Sequence, residues 1–146
     1  MQAKIKRMLS IFMIICMCLS IVPLQALAAP SASLSLVVDK VNAKTTDTEI
    51  KVPVTATENT GYGFATIKVY WDKTKLELTN VEFTDLAPSN SSAPITGNNG
   101  EHTIGFGNSL SPTNFVGTGT FFTLVFKPVD GATAGEYEIK LDKANV

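Results

Sequence analysis

Phe64-Ala65-Thr66-Ile67-Lys68-Val69-Tyr70-Trp71 alternates with a period of two. Ala65, Ile67, Val69 and Trp71 form one wholly apolar row, and Phe64, Thr66, Lys68 and Tyr70 form the other. Successive side chains of an extended strand point to opposite faces, so this spacing predicts a strand with its first row on a core and its second row outward.

The same period recurs on both sides. Upstream, Leu34, Leu36 and Val38 begin a first strand that runs towards Val41, and Ile50, Val52, Val54 and Ala56 line one side of a second. Pro53 has no N–H to give a ladder, which predicts a local break or an edge there. Glu58-Asn59-Thr60-Gly61 and Asp72-Lys73-Thr74-Lys75 have turn composition. Downstream, strands are expected at Leu76–Phe83, at His102–Gly107 with Ile104 and Phe106 inward, and at Phe121–Lys127 with Phe122, Leu124 and Phe126 inward. Glu136–Leu141 closes the series, with Tyr137, Ile139 and Leu141 alternating against charges. Residues 87–100, rich in Ser, Pro, Asn and Gly, read as loop. No window carries a helical apolar stripe, and β-branched and aromatic residues dominate each element. Short strands separated by turns at such intervals predict a sandwich or barrel.

The amino end reads differently. Lys4, Lys6 and Arg7 precede an apolar run from Met8 to Leu24, and Ala26-Leu27-Ala28 supplies a small-x-small cleavage pattern. That order is a secretory signal over residues 1–28, followed by a short lead-in at 29–33 and one domain at 34–146. Secretion is the expected destination, with no membrane association after cleavage. Both cysteines, Cys16 and Cys18, fall inside the signal, so the mature chain has no disulfide and holds together by its core alone. Cleavage removes three of the 12 basic residues and none of the 13 acidic ones, leaving a net charge of −4 on 118 of the 146 residues. That mixed, mildly acidic surface excludes an electrostatic footprint for nucleic acid.

Motifs for chemistry are sparse. His102 is the only histidine, with no cysteine or second histidine in the mature chain to complete a metal site, and Glu101-His102 reads as solvated loop at a strand start. Gly61-Tyr62-Gly63 and Gly117-Thr118-Gly119 open no helix and so lack what a phosphate loop needs. No Gly-x-Ser-x-Gly is present, and Val129-Asp130-Gly131 lacks the acids of a calcium loop. A binding protein without cofactor, rather than an enzyme, is the expectation.

Three blocks point to a family: Asp47-Thr48-Glu49-Ile50-Lys51-Val52-Pro53-Val54, Val69-Tyr70-Trp71-Asp72-Lys73-Thr74-Lys75-Leu76-Glu77-Leu78, and Gly119-Thr120-Phe121-Phe122-Thr123-Leu124-Val125-Phe126. In this order they resemble a bacterial cohesin, the module by which scaffold proteins capture dockerin-bearing enzymes. The resemblance implies an all-β antiparallel sandwich of jelly-roll topology with about nine strands. It implies dockerin-bearing partners, assembly of polysaccharide-degrading enzymes, and calcium on the dockerin rather than on this chain. Members of the family continue for one more strand where this chain stops at Val146. On this reading the last strand is absent, the first lacks a neighbour, and a longer parent protein is expected.

The resemblance also locates a binding face. Positions at which such cohesins often present Asn and Asp align with Phe64 and Thr66. An apolar contact two strands on aligns with Gly105, and an acidic one with Asn108. By alternation, the row Phe64, Thr66, Lys68 and Tyr70 is outward, and two solvent-facing aromatics need either a partner or a covering loop such as 87–100. Outward Thr103, Gly105, Thr123, Val125 and Lys127 are expected to extend the same flat surface, whose small side chains suit a partner helix. A second reading is carbohydrate binding, with Tyr62, Phe64 and Tyr70 as stacking platforms. A third is a spacer domain without a ligand.

Overall fold

A computed structural model describes residues 33–87, 95–107 and 115–142. Seven strands form among them: β1 Leu34–Val38, β2 Ile50–Asn59, β3 Phe64–Tyr70, β4 Leu76–Phe83, β5 Glu101–Gly107, β6 Gly119–Pro128 and β7 Lys140–Leu141. One sheet has the order β1-β2-β6-β4 and the other β5-β3-β7, and every pairing is antiparallel. The proposed signal at 1–28, Asn108, the 88–94 stretch of the long loop and the carboxyl end from 143 lie outside the described residues.

The two sheets share one core. Val52 and Val54 of β2, Ala65, Ile67 and Val69 of β3, and Leu124 and Phe126 of β6 belong to a single buried cluster, as the alternation predicts. Phe106 of β5 links the layers, with its ring 5.2 Å from that of Phe121, 5.3 Å from Phe122 and 6.1 Å from Phe83. Edge-to-face and offset rings at these separations add to what area burial alone contributes.

Bulges reset the alternation in three strands. Val54 pairs Phe122 while Thr55 pairs Thr120, leaving Phe121 as the extra residue of β6. The shift turns Phe121 inward beside Phe122, and both are fully buried. In β4, Leu78 pairs Phe126 and Asn80 pairs Val125, so Thr79 is extra, and its hydroxyl donates to the Val125 carbonyl at 3.0 Å. Leu76 and Leu78 before the bulge and Val81 after it can then all face the core. A third shift leaves Thr57 unpaired between β1 and β2.

One local expectation is met and one changes. β2 has a neighbour on each side, but β1 ends opposite Val54, so Pro53 lies at a local edge, its carbonyl accepting from Asp39 N at 2.9 Å, one residue beyond the end of β1. The missing N–H therefore faces a place where β1 has stopped. Residues 136–139 form no strand: the Tyr137 hydroxyl turns back onto the Thr133 carbonyl and the ring lies against Gly135, so pairing with β3 is confined to Lys140 and Leu141.

Candidate functional site

The outer face of the three-stranded sheet is set by the register of β3 with its neighbours. Phe64 stands opposite Gly107, Thr66 opposite Gly105, Lys68 opposite Thr103 and Tyr70 opposite Glu101, with Lys140 on the other side of Tyr70. Phe64, Thr66, Lys68, Tyr70, Thr103 and Gly105 are thus brought onto one surface. Phe64 is 51% exposed, Lys68 and Thr103 are exposed, and Thr66, Tyr70 and Gly105 are half-buried. Lys140 is paired with Glu138 at 3.2 Å, whereas Lys68 has no ion-pair partner among the described residues. Asp142 N donates to the Lys68 carbonyl at 2.8 Å, which anchors the end of β7 against β3.

Glu101, Gly107, which is buried, and Lys140 also fall on this side of the sheet and were not among the expected residues. The alternation Glu101, Thr103, Gly105, Gly107 already carried the signal for the first two; Lys140 follows only from the β7 pairing. Gly107 has φ +96°, and a Cβ there would lie 2.2 Å from the Gly63 carbonyl oxygen. The chain passes so close at this point that only glycine fits.

Four expectations about the surface are overturned. Thr123, Val125 and Lys127 do not extend it, because β6 belongs to the other sheet. Val125 is also only 4% exposed, as it lies between Lys51 of β2 and Asn80 of β4 on the far side of the molecule. That far side carries its own ion pairs, Lys51 with Glu82 at 2.7 Å and Lys127 with Glu77 at 3.2 Å. Hydrogen bonds to Glu82 and Glu49 hold the Lys51 ammonium above its usual range. Tyr62 is no platform: it is buried, pairs with Phe115, packs on Phe115 and Phe121 at 5.4 and 5.5 Å, and donates its hydroxyl to the Leu86 carbonyl. Burial pushes that hydroxyl well above its usual range.

His102 is on β5 rather than in a solvated loop. It falls on the inward row with Ile104 and Phe106, opposite Val69, and its Nε2 is buried without a partner among the described residues. Desolvation lowers its pKa. An open hollow of about 240 Å³ lies beside it, lined by Trp71, Ile95, Thr96, Gly97, Asn99, Glu101, His102 and Thr103. Ile95–Gly100 is fixed at the Trp71 end of β3, where Trp71 N donates to Gly100 O at 3.0 Å, while Phe64 lies at the opposite end of that strand. Among the described residues no group of three or more His, Cys, Asp or Glu could hold a metal ion.

Several solved structures share this fold. The seventh ScaB type I cohesin of Pseudobacteroides cellulosolvens is 23% identical with a TM-score of 0.65, over 77% of this chain and 75% of that one. CaCohA2 of Clostridium acetobutylicum, solved in complex with a point variant of CaDoc0917, is 26% identical with a TM-score of 0.65, over 75% and 82%. The sixth cohesin of scaffoldin B from Acetivibrio cellulolyticus, solved with a mutant Cel5 dockerin, is 21% identical with a TM-score of 0.62, over 77% and 82%. No curated protein matches the chain. The profile of the cohesin domain matches residues 34–146, well over half of the sequence, and this protein belongs to the cohesin domain family.

Proposed function

We propose that this chain is a secreted, non-catalytic cohesin module that binds dockerin-bearing proteins across the outer face of β5-β3-β7. The observation that carries this reading is a flat sheet face with an aromatic ring half in solvent, Phe64, on a domain of the cohesin family. Aromatic side chains are among the residues that dominate protein interfaces. Cohesins of similar fold have been solved with dockerins, and cohesin domains are interaction modules of extracellular enzyme assemblies. On this reading the chain needs no cofactor, calcium belongs to the dockerin, and the partner enzymes act on polysaccharide. Burial of Tyr62 removes one of the three aromatics that carbohydrate stacking would have used, so the sugar-binding alternative is the weaker.

Calorimetry of the secreted chain against a panel of dockerins, with calcium and then with chelator, tests the proposal. Binding that chelation abolishes and that Phe64→Ala or Tyr70→Ala weakens supports it. A folded domain that binds none of the panel, or binding untouched by both substitutions, sinks the reading or its face.

A further inference from the structure

The outer face has a definite relief. Phe64 projects at one end of β3, beside Gly107 directly opposite and Gly105 one pair along. Gly107 itself is buried, so half-buried Gly105 alone leaves a gap in the side chains, a floor diagonal to the half-exposed ring. Thr66 and Thr103 are the next side chains along this floor, and both are small. The nearest charge on the outward row is Lys68, with no ion-pair partner among the described residues. Phe64 and Lys68 are four residues apart on one strand, roughly 13 Å at about 3.3 Å per residue.

Resting on the dockerin reading, we infer that this face selects a partner helix with a bulky aliphatic side chain over Gly105, against Phe64, and an acidic side chain seven or eight residues away, at Lys68. A helix repeats its face at that spacing and advances roughly 11–12 Å over it, which matches the distance between the two anchors. An aliphatic group fills the floor and covers the ring, so that neither remains in water. A hydroxyl or amide packed against the Phe64 ring would lose its own hydration without gaining a partner from that ring. The acid meets the one outward cation of β3 and fixes the direction and register of the helix.

The test is selection from a displayed library built on the Cel5 dockerin, calcium-loaded, with two contact-helix positions seven apart randomised. It is run against the full chain and against Phe64→Thr and Lys68→Glu, each first shown to melt within a few degrees of the parent. The parent should enrich Leu, Ile, Val or Met at one position and Asp or Glu at the other. Lys68→Glu should turn the second preference to Lys or Arg, and Phe64→Thr should weaken parent-selected clones at least about tenfold. Clones that bind with Ser, Thr or Asn at the first position, or whose charge preference is unmoved by Lys68→Glu, overturn this inference and leave the dockerin reading standing. No binding clone for the folded parent overturns both.

Discussion

Trp71 and Asn98 are joined by a hydrogen bond from the indole Nε1 to the amide oxygen at 2.9 Å. The same amide's nitrogen donates to the carbonyls of Lys73 and Leu76 at 2.8 and 2.9 Å. One side chain therefore ties the loop after residue 94 to the end of β3, to the β3–β4 turn and to the start of β4. It also satisfies the polar edge of a tryptophan that is 7% exposed and packs edge-on to Phe126 at 5.6 Å.

Asn98→Ala should therefore destabilise the domain by about 1–3 kcal/mol, the cost of leaving an indole N–H and two carbonyls unpaired. In a Trp71→Phe background, where the indole N–H is already gone, the same substitution should cost less. Chemical denaturation of the four proteins of that cycle measures the coupling. Additive effects would show that the hydrogen bond contributes nothing.

Glycine is required at Gly107 for a different reason than at Gly131. Both have positive φ, +96° and +81°, yet a Cβ at Gly131 meets nothing within 4 Å while one at Gly107 strikes the Gly63 carbonyl. Gly131→Ala should cost only the left-handed conformation, about 1–2 kcal/mol. Gly107→Ala must also push β5 away from the Gly63–Phe64 peptide, and should cost clearly more and shift the β3–β5 amide resonances. Equal melting temperatures for the two variants would contradict the close approach.

The inward rows of β2, β3 and β5 were legible because a period of two is a local property of the chain. What sequence left open depended on partners. The extra residue Phe121 looks outward in a simple alternation, and only the pairing of Val54 and Thr55 across from it reveals the bulge that turns it in. Thr123 and Val125 have the right alternation for an outer face, but alternation does not say which sheet a strand joins. Tyr62 reads as exposed beside two glycines until Phe115, more than fifty residues on, is seen to cover it. The cohesin blocks carried the family, whereas the surface charge of β7 depended on a two-residue pairing.

His102 gives the domain a pH dependence. Burial lowers its pKa below 6.5, so the unfolded chain takes up a proton more readily than the folded one. Stability from this group is complete above about 6.5 and declines as pH falls below that value towards the lowered folded pKa. Asp72, held below 3.8 by the Thr74 hydroxyl and N–H, loses its contribution only at far lower pH, so the two windows separate. Melting temperature should fall between pH 7 and pH 5 in the parent and stay flatter in His102→Gln. Parallel curves would place the acid sensitivity elsewhere.

Val125 and Phe64 both point away from the core, yet only one is free. The Val125 side chain is 4% exposed between its neighbours on β2 and β4, whereas Phe64 is 51% exposed beside glycines. A carboxylate at position 125 would be desolvated with Glu77 and Glu82 on the same outer face of β4, so Val125→Asp should destabilise by roughly 2–4 kcal/mol. Phe64→Asp should stay within about 0.5 kcal/mol of the parent, since a solvent-exposed site loses little packing. Urea denaturation of the two variants separates them. The reverse order would mean that β5-β3-β7 presents a covered face and β6 the open one, and the proposed dockerin surface would have to move to the other sheet.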